Sequence, residues 1–350
     1  MNSLRLGLLT SIGGTLDAFF PEIVHSWRRE GIEVFPAAGT PADMGGATVI
    51  EALTRRPTPR GLRALGNLRS WATEHDLQVI LTNTATASAL VRLSPVGTPV
   101  IYFCHGLHWN GTGPNAWAPQ LAESALLPRT AGVVCINSHD EQWFARHAPK
   151  IPRLRLLHGV GLDVEQFPRS PRPIRSGALD LVWIGEYTPR KNPHALLRVA
   201  RRLRADGIGF RIHMLGSGEL LEEIRAAGAD LGQRLHIVGA AEPLEYLRNC
   251  DAVVHTAHWE GLPRVLLEAA AVGRPMVGFD VKGVRDIPGV TVVPEGDIAA
   301  MAAALAGVRD LHPALPQPDD LAYAHCADAI AEFAGAIADG SMAPGTAIQR

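Results

Sequence analysis

An α/β protein built from two doubly wound, Rossmann-like domains is the fold this sequence predicts, and three observations predict it. The first is length: 350 residues suit about two domains at the usual ~100–200 residues each. The second is patterning. Short apolar runs alternate with longer amphipathic stretches, which is how parallel strands joined by helices read. The third is a break. The Pro- and Arg-rich PRSPRPIRSGALD, Pro168–Asp180, has no periodicity, and the alternation restarts after it. The expected division is therefore a first domain over 1–168, a linker over 169–180, a second domain over 181–318, a last helix over 319–338 and a tail over 339–350. Ligands of such sheets sit beyond the carboxyl ends of the strands, so the two domains are expected to face each other across a cleft.

In chain order, LRLGLLT is the first strand and turns at Ser11-Ile12-Gly13-Gly14. A helix over about Ala18 to Glu30 follows and Gly31 ends it. IEVFPAA is the next strand, and an Arg-rich helical stretch covers Arg60 to His75. VILTN, PVIYFCH and GVVCIN are strands, and LRLLHGVGLD closes the first half. In the second half LDLVWIG is a strand and Pro193 to Asp206 a helix, FRIHMLG a strand and Glu219 to Ala227 a helix. RLHIVG, DAVVHTA and PMVGFD are further strands. One last helix covers about Asp319 to Ala336, and the tail SMAPGTAIQR is expected to be disordered.

Composition narrows the functional classes. With 47% hydrophobic and 19% charged residues the chain is globular rather than disordered. A net charge of −2 argues against a nucleic-acid partner. Arg55, Arg56, Arg60, Arg63 and Arg69 cluster, as do Arg28 and Arg29. A solvated surface is the simpler account of them; a patch for an anionic membrane or a phosphorylated acceptor is the sharper one. Cys104, Cys135, Cys250 and Cys326 are far apart and form no C-x-x-C, so they are expected to be reduced core residues of a cytosolic protein. No apolar run reaches the ~18 residues of a membrane span. The N-terminal MNSLRLGLLTSIGG lacks the long apolar region and cleavage site of a signal peptide. A cytoplasmic location is expected, with the inner face of the membrane as a candidate place of association.

Several short stretches carry candidate chemistry. In LGSGELLEEI, Gly216-x-Gly218 follows a strand and precedes a helix, but Leu221 stands where a third glycine would complete a dinucleotide fingerprint. In WIGEYTPRKNP, Arg190 and Lys191 stand just before a helix start, with Asn192 as cap and Pro193 as first helical residue. Two cations beside a helix N-terminus make an anion site. In YFCHGLHWNG, His105 ends a strand, Gly106 allows close approach, and His108 and Asn110 follow. Two histidines suggest a metal, but no third ligand of suitable spacing and no D-x-D triplet occur, so no metal is expected.

HWEGLPRVLLEAAAVGRPMVGFD, His258 to Asp280, is the most informative stretch. Pro263 suits a first helical turn and Gly273 a C-terminal cap. The residues between are almost all apolar, so the helix is largely buried and Glu268 needs a ligand or a fixed partner. Glu260 stands at its entrance. Eight helical residues rise about 12 Å, more than the roughly 5–9.5 Å of a glycosidase carboxylate pair. Two ends of one long ligand suit this pair better than one reacting atom.

EGLPRVLLEA resembles the E-x7-E motif of the family-4 retaining glycosyltransferases, which have the GT-B fold, and the resemblance covers nearly the whole chain. WIGEYTPRKN looks like their G-x5-K loop, GSGELLEEI like their G-x-G-x-L turn, GVGLDVEQF like the end of their first domain, and VVPEGDIAAMAAAL like the segment before their last helices. HGLHWNG, CINSHDE, EGLP and KGVRDI most resemble the bacterial polysaccharide-assembly branch. Five ordered motifs together are far more specific than any one E-x7-E.

The resemblance implies a transferase that moves a UDP-hexose or UDP-N-acetylhexosamine sugar to a glycan, glycolipid, polyprenyl-linked or small-molecule acceptor. Neither cofactor nor metal would be needed. Glu268 would hold the ribose hydroxyls and Glu260 the donor sugar. Backbone N–H groups of Gly261 and Leu262, in the turn completed by Pro263, would meet the sugar or diphosphate, which Lys191 and Arg190 would neutralise beside Gly185, Gly216 and Gly218. Gly13 and Gly14 would form the first-domain loop that approaches donor or acceptor, and His105 would touch the donor sugar. His108, Asn110 and Asn83 would stand on the acceptor side, and the final helix would cross back onto the first domain. Attack is expected from the face the diphosphate leaves, with retention and no covalent nucleophile. Two positions depart from the family: Glu186 replaces the usual Arg after Gly185, and Asn83 a usual His. A natural-product glycosyltransferase, a GT-B epimerase and a non-catalytic sugar-nucleotide-binding subunit are the competing readings.

Overall fold

A computed structural model describes residues 3–55, 59–107, 109 and 117–350. The chain forms two compact units, one of Met1–Gly161 with Tyr323–Arg350 and one of Leu162–Ala322. In the first, β1 (Arg5–Thr10), β2 (Glu33–Ala38), β3 (Thr48–Val49), β4 (Val79–Thr82), β5 (Val100–Cys104), β6 (Gly132–Cys135) and β7 (Arg153–Arg155) are joined by β14 (Ala347–Gln349) from the chain's end. The second holds β8 (Leu179–Ile184), β9 (Phe210–Leu215), β10 (Leu235–Gly239), β11 (Ala252–His255), β12 (Met276–Phe279) and β13 (Val290–Val293). The sheet orders are β14-β7-β6-β5-β4-β1-β2-β3 and β10-β9-β8-β11-β12-β13, and every pairing in both is parallel.

Parallel sheets are covered on both faces, so their central strands read as unbroken apolar runs. Residues Val79–Thr82, Val100–Cys104 and Ala252–His255 are buried throughout. The order reverses at one place in each sheet. β1 pairs with both β2 and β4, and β8 with both β9 and β11. Such switch points leave a crevice beyond the carboxyl ends of the two diverging strands, which fixes where each unit can hold a ligand.

Several local expectations change. The helix expected over Ala18 to Glu30 is two, Gly13–Phe19 and Pro21–Arg29. Pro21 has no N–H for the first ladder and instead opens the second helix. The tail expected to be disordered is ordered: Ala347–Gln349 pairs with β7, and the Leu157 N–H donates to the Arg350 carbonyl at 2.7 Å. An edge strand has unpaired backbone groups to offer, and this short segment satisfies them. The chain enters the second unit at Leu162, ahead of the expected linker. Residues 169–180 are strapped onto that unit, because Arg169 donates to the Ala270 and Pro316 carbonyls and Arg172 to those of Val308 and Leu311. Leu179 and Asp180 already belong to β8.

The last helix, Tyr323–Ala338, returns to the first unit and packs on Pro21–Arg29. Trp27 is fully buried there and its indole N–H donates to the Ala327 carbonyl at 2.8 Å. Trp27→Ala removes that bond and leaves a cavity, so urea denaturation is expected to show a loss of about 3–5 kcal/mol.

Candidate functional site

In the second unit the chemistry collects at the carboxyl ends of β8 and β11. After β8 the chain runs through Gly185 into a tight turn, Pro189–Lys191, and then the helix Pro193–Ala205. Asn192 stands at the cap position but makes no side-chain cap bond; its left-handed φ of 50° turns the chain into Pro193 instead. After β11 the loop 256–263 leads into the helix Arg264–Val272, which Gly273 ends at a φ of 89°. The two loops are stitched together. His258 N–H donates to the Arg190 carbonyl at 2.9 Å, and the Thr256 hydroxyl to the Lys191 carbonyl at 3.1 Å.

Between them lies the Glu260 carboxylate, 6% exposed. Arg190 holds Oε2 at 2.5 Å and Lys191 Nζ holds Oε1 at 2.5 Å. Burial pushes this carboxyl up, but the Lys191 ammonium and the Arg190 guanidinium outweigh it and hold it below the usual carboxylate value. His255, buried beneath, places Nε2 3.5 Å from Glu260 Oε1. Burial lowers its pKa from 6.5 to about 4, with Glu260 the opposing influence, so it is neutral at physiological pH. The Arg190 guanidinium also lies over the Trp259 ring at 5.4 Å, and Glu186 reaches Arg190 at 4.0 Å.

Glu268 answers to a different cation. Its side chain is 13% exposed and accepts from Arg264 Nε, one turn earlier, at 3.2 Å. Burial raises its pKa, against the pull of Arg264. The helix begins only at Arg264, so a full eight-residue helical rise does not separate the two glutamates, and Pro263 precedes the helix rather than opening it. Separate cations fix each one: Arg190 and Lys191 hold Glu260, and Arg264 holds Glu268.

The glycines of this region act largely through packing. A Cβ on Gly216 (φ 128°) would meet the Gly185 carbonyl oxygen at 2.0 Å, and one on Gly218 (φ 150°) the Tyr187 backbone at 2.7 Å. These glycines let the loops after β8 and β9 touch. Gly283 (φ 80°) does the same against the carbonyls of Glu260 and Gly261, at 2.6 Å, seating the turn after β12 under the EGLP loop.

In the first unit the expected residues stand at the ends of β1, β4 and β5. Gly13 is packed, since a Cβ there would meet the Pro41 carbonyl at 1.9 Å, whereas Gly14 faces open space. Asn83 follows β4 at 4% exposure, with both amide atoms lacking a hydrogen-bond partner among the described residues. His105 follows β5, stacked on Phe103 at 4.2 Å and beside Phe19 at 5.8 Å. Burial lowers its pKa to about 4, and its Nε2 has no partner among the described residues. His108 and Asn110 lie outside the described residues. Among those described, no three His, Cys, Asp or Glu side chains are grouped to hold a metal, and no helix is long and apolar enough to cross a membrane. The four cysteines are buried and form no disulfide.

Known proteins match this arrangement in both units. A family model described as "Glycosyl transferase 4-like domain" matches residues 14–159, and one described as "Glycosyl transferases group 1" matches residues 178–309. The chain belongs to the family-4 glycosyltransferases. D-inositol 3-phosphate glycosyltransferase of Geodermatophilus obscurus is 31% identical over 57% of this chain, and the match spans 50% of that relative. Among solved structures, the lipopolysaccharide outer core galactosyltransferase WaaB superposes with a TM-score of 0.71 at 16% identity, covering 96% of this chain and 97% of that one. Anabaena HepE in complex with UDP superposes with a TM-score of 0.69 at 16% identity, covering 97% and 98%. These likenesses show the GT-B fold.

Within that family frame, two groups of residues escaped the sequence. Asp140, fully buried, accepts from the Leu107 N–H at 3.0 Å and the Asn137 amide at 2.9 Å, and so pins the loop that carries His105. Asn137 caps the helix Ser138–His147 by accepting from the Asp140 N–H. Asn three places before Asp at a strand end was the available sign. His255 was hidden as one polar residue closing an apolar strand, although the same sign had singled out His105.

The buried neutral histidines set an acid limit. A group whose folded pKa is lowered binds fewer protons when folded, so its stability is lost as pH falls from the unfolded value toward the folded one. For His105 and His255 that window runs from 6.5 down to about 4; Glu260 adds its loss below the ordinary carboxylate range. Urea denaturation from pH 7.5 to about 4.5 is expected to cost about 2–3 kcal/mol per histidine. His105→Leu and His255→Leu should each flatten that slope; slopes parallel to the parent would contradict the assignment.

Proposed function

We propose that this protein is a retaining glycosyltransferase that moves a hexose or N-acetylhexosamine from a UDP donor to a hydroxyl of a glycan, lipid-linked or small-molecule acceptor in bacterial polysaccharide assembly. The observation that carries this reading is the Arg190–Lys191 cation pair at the switch point of the second sheet, held on a carboxylate that is otherwise buried. A strand-end loop with two cations and a following helix N-terminus suits a diphosphate. The named neighbours support the donor class, since HepE has been solved with UDP and WaaB is a galactosyltransferase.

In this proposal Lys191 and Arg190 neutralise the diphosphate as the bond to the sugar breaks, so no metal is needed for that charge. Glu268, near the middle of its helix and steadied by Arg264, takes the ribose hydroxyls, and Glu260 faces the sugar. The acceptor oxygen attacks from the face the diphosphate leaves, and a leaving phosphate oxygen takes its proton. Catalysis is then positioning and charge stabilisation. An anionic membrane surface is a candidate partner of the first unit. Leu62, Trp117 and Leu121 are 60%, 63% and 63% exposed there, and Arg63 and Arg69 are exposed on the same run of neighbouring helices.

A panel of nucleotide sugars, followed for slow hydrolysis, tests the proposal. UDP-sugar hydrolysis without epimerisation is expected, and Lys191→Ala should lower turnover by about 10²–10³-fold in protein that urea denaturation shows to be folded, at a lower midpoint because Glu260 loses one of its two cations. Epimerisation without hydrolysis, or no UDP binding at all, would overturn it in favour of an epimerase or a different ligand.

A further inference from the structure

The Glu260 cluster contains one more polar group than the proposed reaction uses. His255 lies under the carboxylate at the end of β11, and its tautomer can be read. The Ala257 N–H donates to His255 Nδ1 at 3.3 Å, so Nδ1 is an acceptor and the ring proton resides on Nε2. That N–H lies 3.5 Å from Glu260 Oε1, beyond a good hydrogen bond, and Nε2 has no hydrogen-bond partner among the described residues. A buried donor left unmade in this way is costly, and here it is aimed at a carboxylate already committed elsewhere.

The exposures of the cluster are unequal. Glu260 is buried, whereas Arg190 and Lys191 keep part of their side chains at the surface. An arriving phosphate therefore meets the cations, not the carboxylate. If both cations turn to the phosphate, Glu260 is left as a buried anion with weakened compensation, which proteins tolerate poorly. Its backbone cannot follow, because the Glu260 N–H is tied to the Lys282 carbonyl at 3.0 Å and Gly283 is packed beneath its own carbonyl. A new donor must come from the side chains around it, and the His255 Nε2–H, 3.5 Å from Oε1, is already in place.

We propose that His255 is a positioning residue that takes over the Glu260 carboxylate when a diphosphate draws Arg190 and Lys191 away, and that Glu260 occupies the cation pair as an exchangeable counter-ion until then. The empty site thereby keeps its cations ordered, and the bound site keeps Glu260 oriented without them. This rests on the donor reading above and adds the order of exchange. No covalent step is involved; two ion pairs are replaced by two others and one hydrogen bond shortens.

Calorimetric titration of the full chain with UDP, and separately with inorganic diphosphate, tests it. Glu260→Gln removes the competing anion, so both ligands should bind about five- to tenfold more tightly. His255→Leu should weaken UDP about tenfold, whereas His255→Gln, which retains an N–H donor, should stay within about threefold of the parent; about tenfold corresponds to one lost hydrogen bond to a charged group. The readout that a merely structural role would not produce is coupling. In the Glu260→Gln background, His255→Leu should add no further loss. Urea midpoints establish that each variant is folded; should His255→Leu not fold, the Glu260→Gln titrations and the His255→Gln and Glu260→Gln pair carry the test. Unchanged or weaker UDP binding in Glu260→Gln, or additive losses in the double variant, would overturn the proposal. Diphosphate binding that tightens in Glu260→Gln without any UDP binding would support the exchange and overturn the UDP reading. No binding of either ligand would overturn both.

Discussion

The structure of the second unit's site depends on one buried carboxylate. Glu260 would be expensive to bury alone, and Arg190 and Lys191 are what make it tolerable. In answering that cost the two cations are drawn from the loop after β8 to the loop after β11, and the backbone bonds between these loops hold the arrangement. The same contact keeps two positive charges together at a strand-end crevice. That pair of charges, gathered by the burial of one carboxylate, is what the proposed diphosphate site rests on.

Topology explains why the cluster forms there. The β8–β11 switch brings together loops far apart in sequence, and the β1–β4 switch does so in the first unit for Gly13, Gly14 and Asn83. Gly216 and Gly218 show how much of a glycine-rich pattern serves this closeness. Their missing Cβ atoms admit the backbone of the loop after β8. At the strand ends of the first unit the aromatic-flanked His105 and the Asn83 amide, without a hydrogen-bond partner among the described residues, are uncharged, in contrast with the Arg190–Lys191–Glu260 cluster at those of the second.

Much of this was legible in the sequence, because the relevant signals are local. Unbroken apolar runs such as VIYFC report buried parallel strands, and a cap-like NP after two cations reports a helix entrance. Glu268 on an apolar helix correctly signalled a partner, which is Arg264. What escaped has a common physical cause. Pro21 splits a helix through one missing N–H within a continuous amphipathic pattern, and the tail's AIQ becomes a strand only because β7 offers an edge. The Glu260 clamp and the Asp140 tie to the His105 loop are pairings of residues 69 and 33 apart in sequence, which no local pattern encodes.

A crystal structure of the protein with UDP bound tests the central claim most directly. The account expects diphosphate oxygens within about 3 Å of Lys191 Nζ and the Arg190 guanidinium, with Glu260 released from both. Lys191 and Arg190 still paired to Glu260, with the nucleotide bound elsewhere, would contradict it.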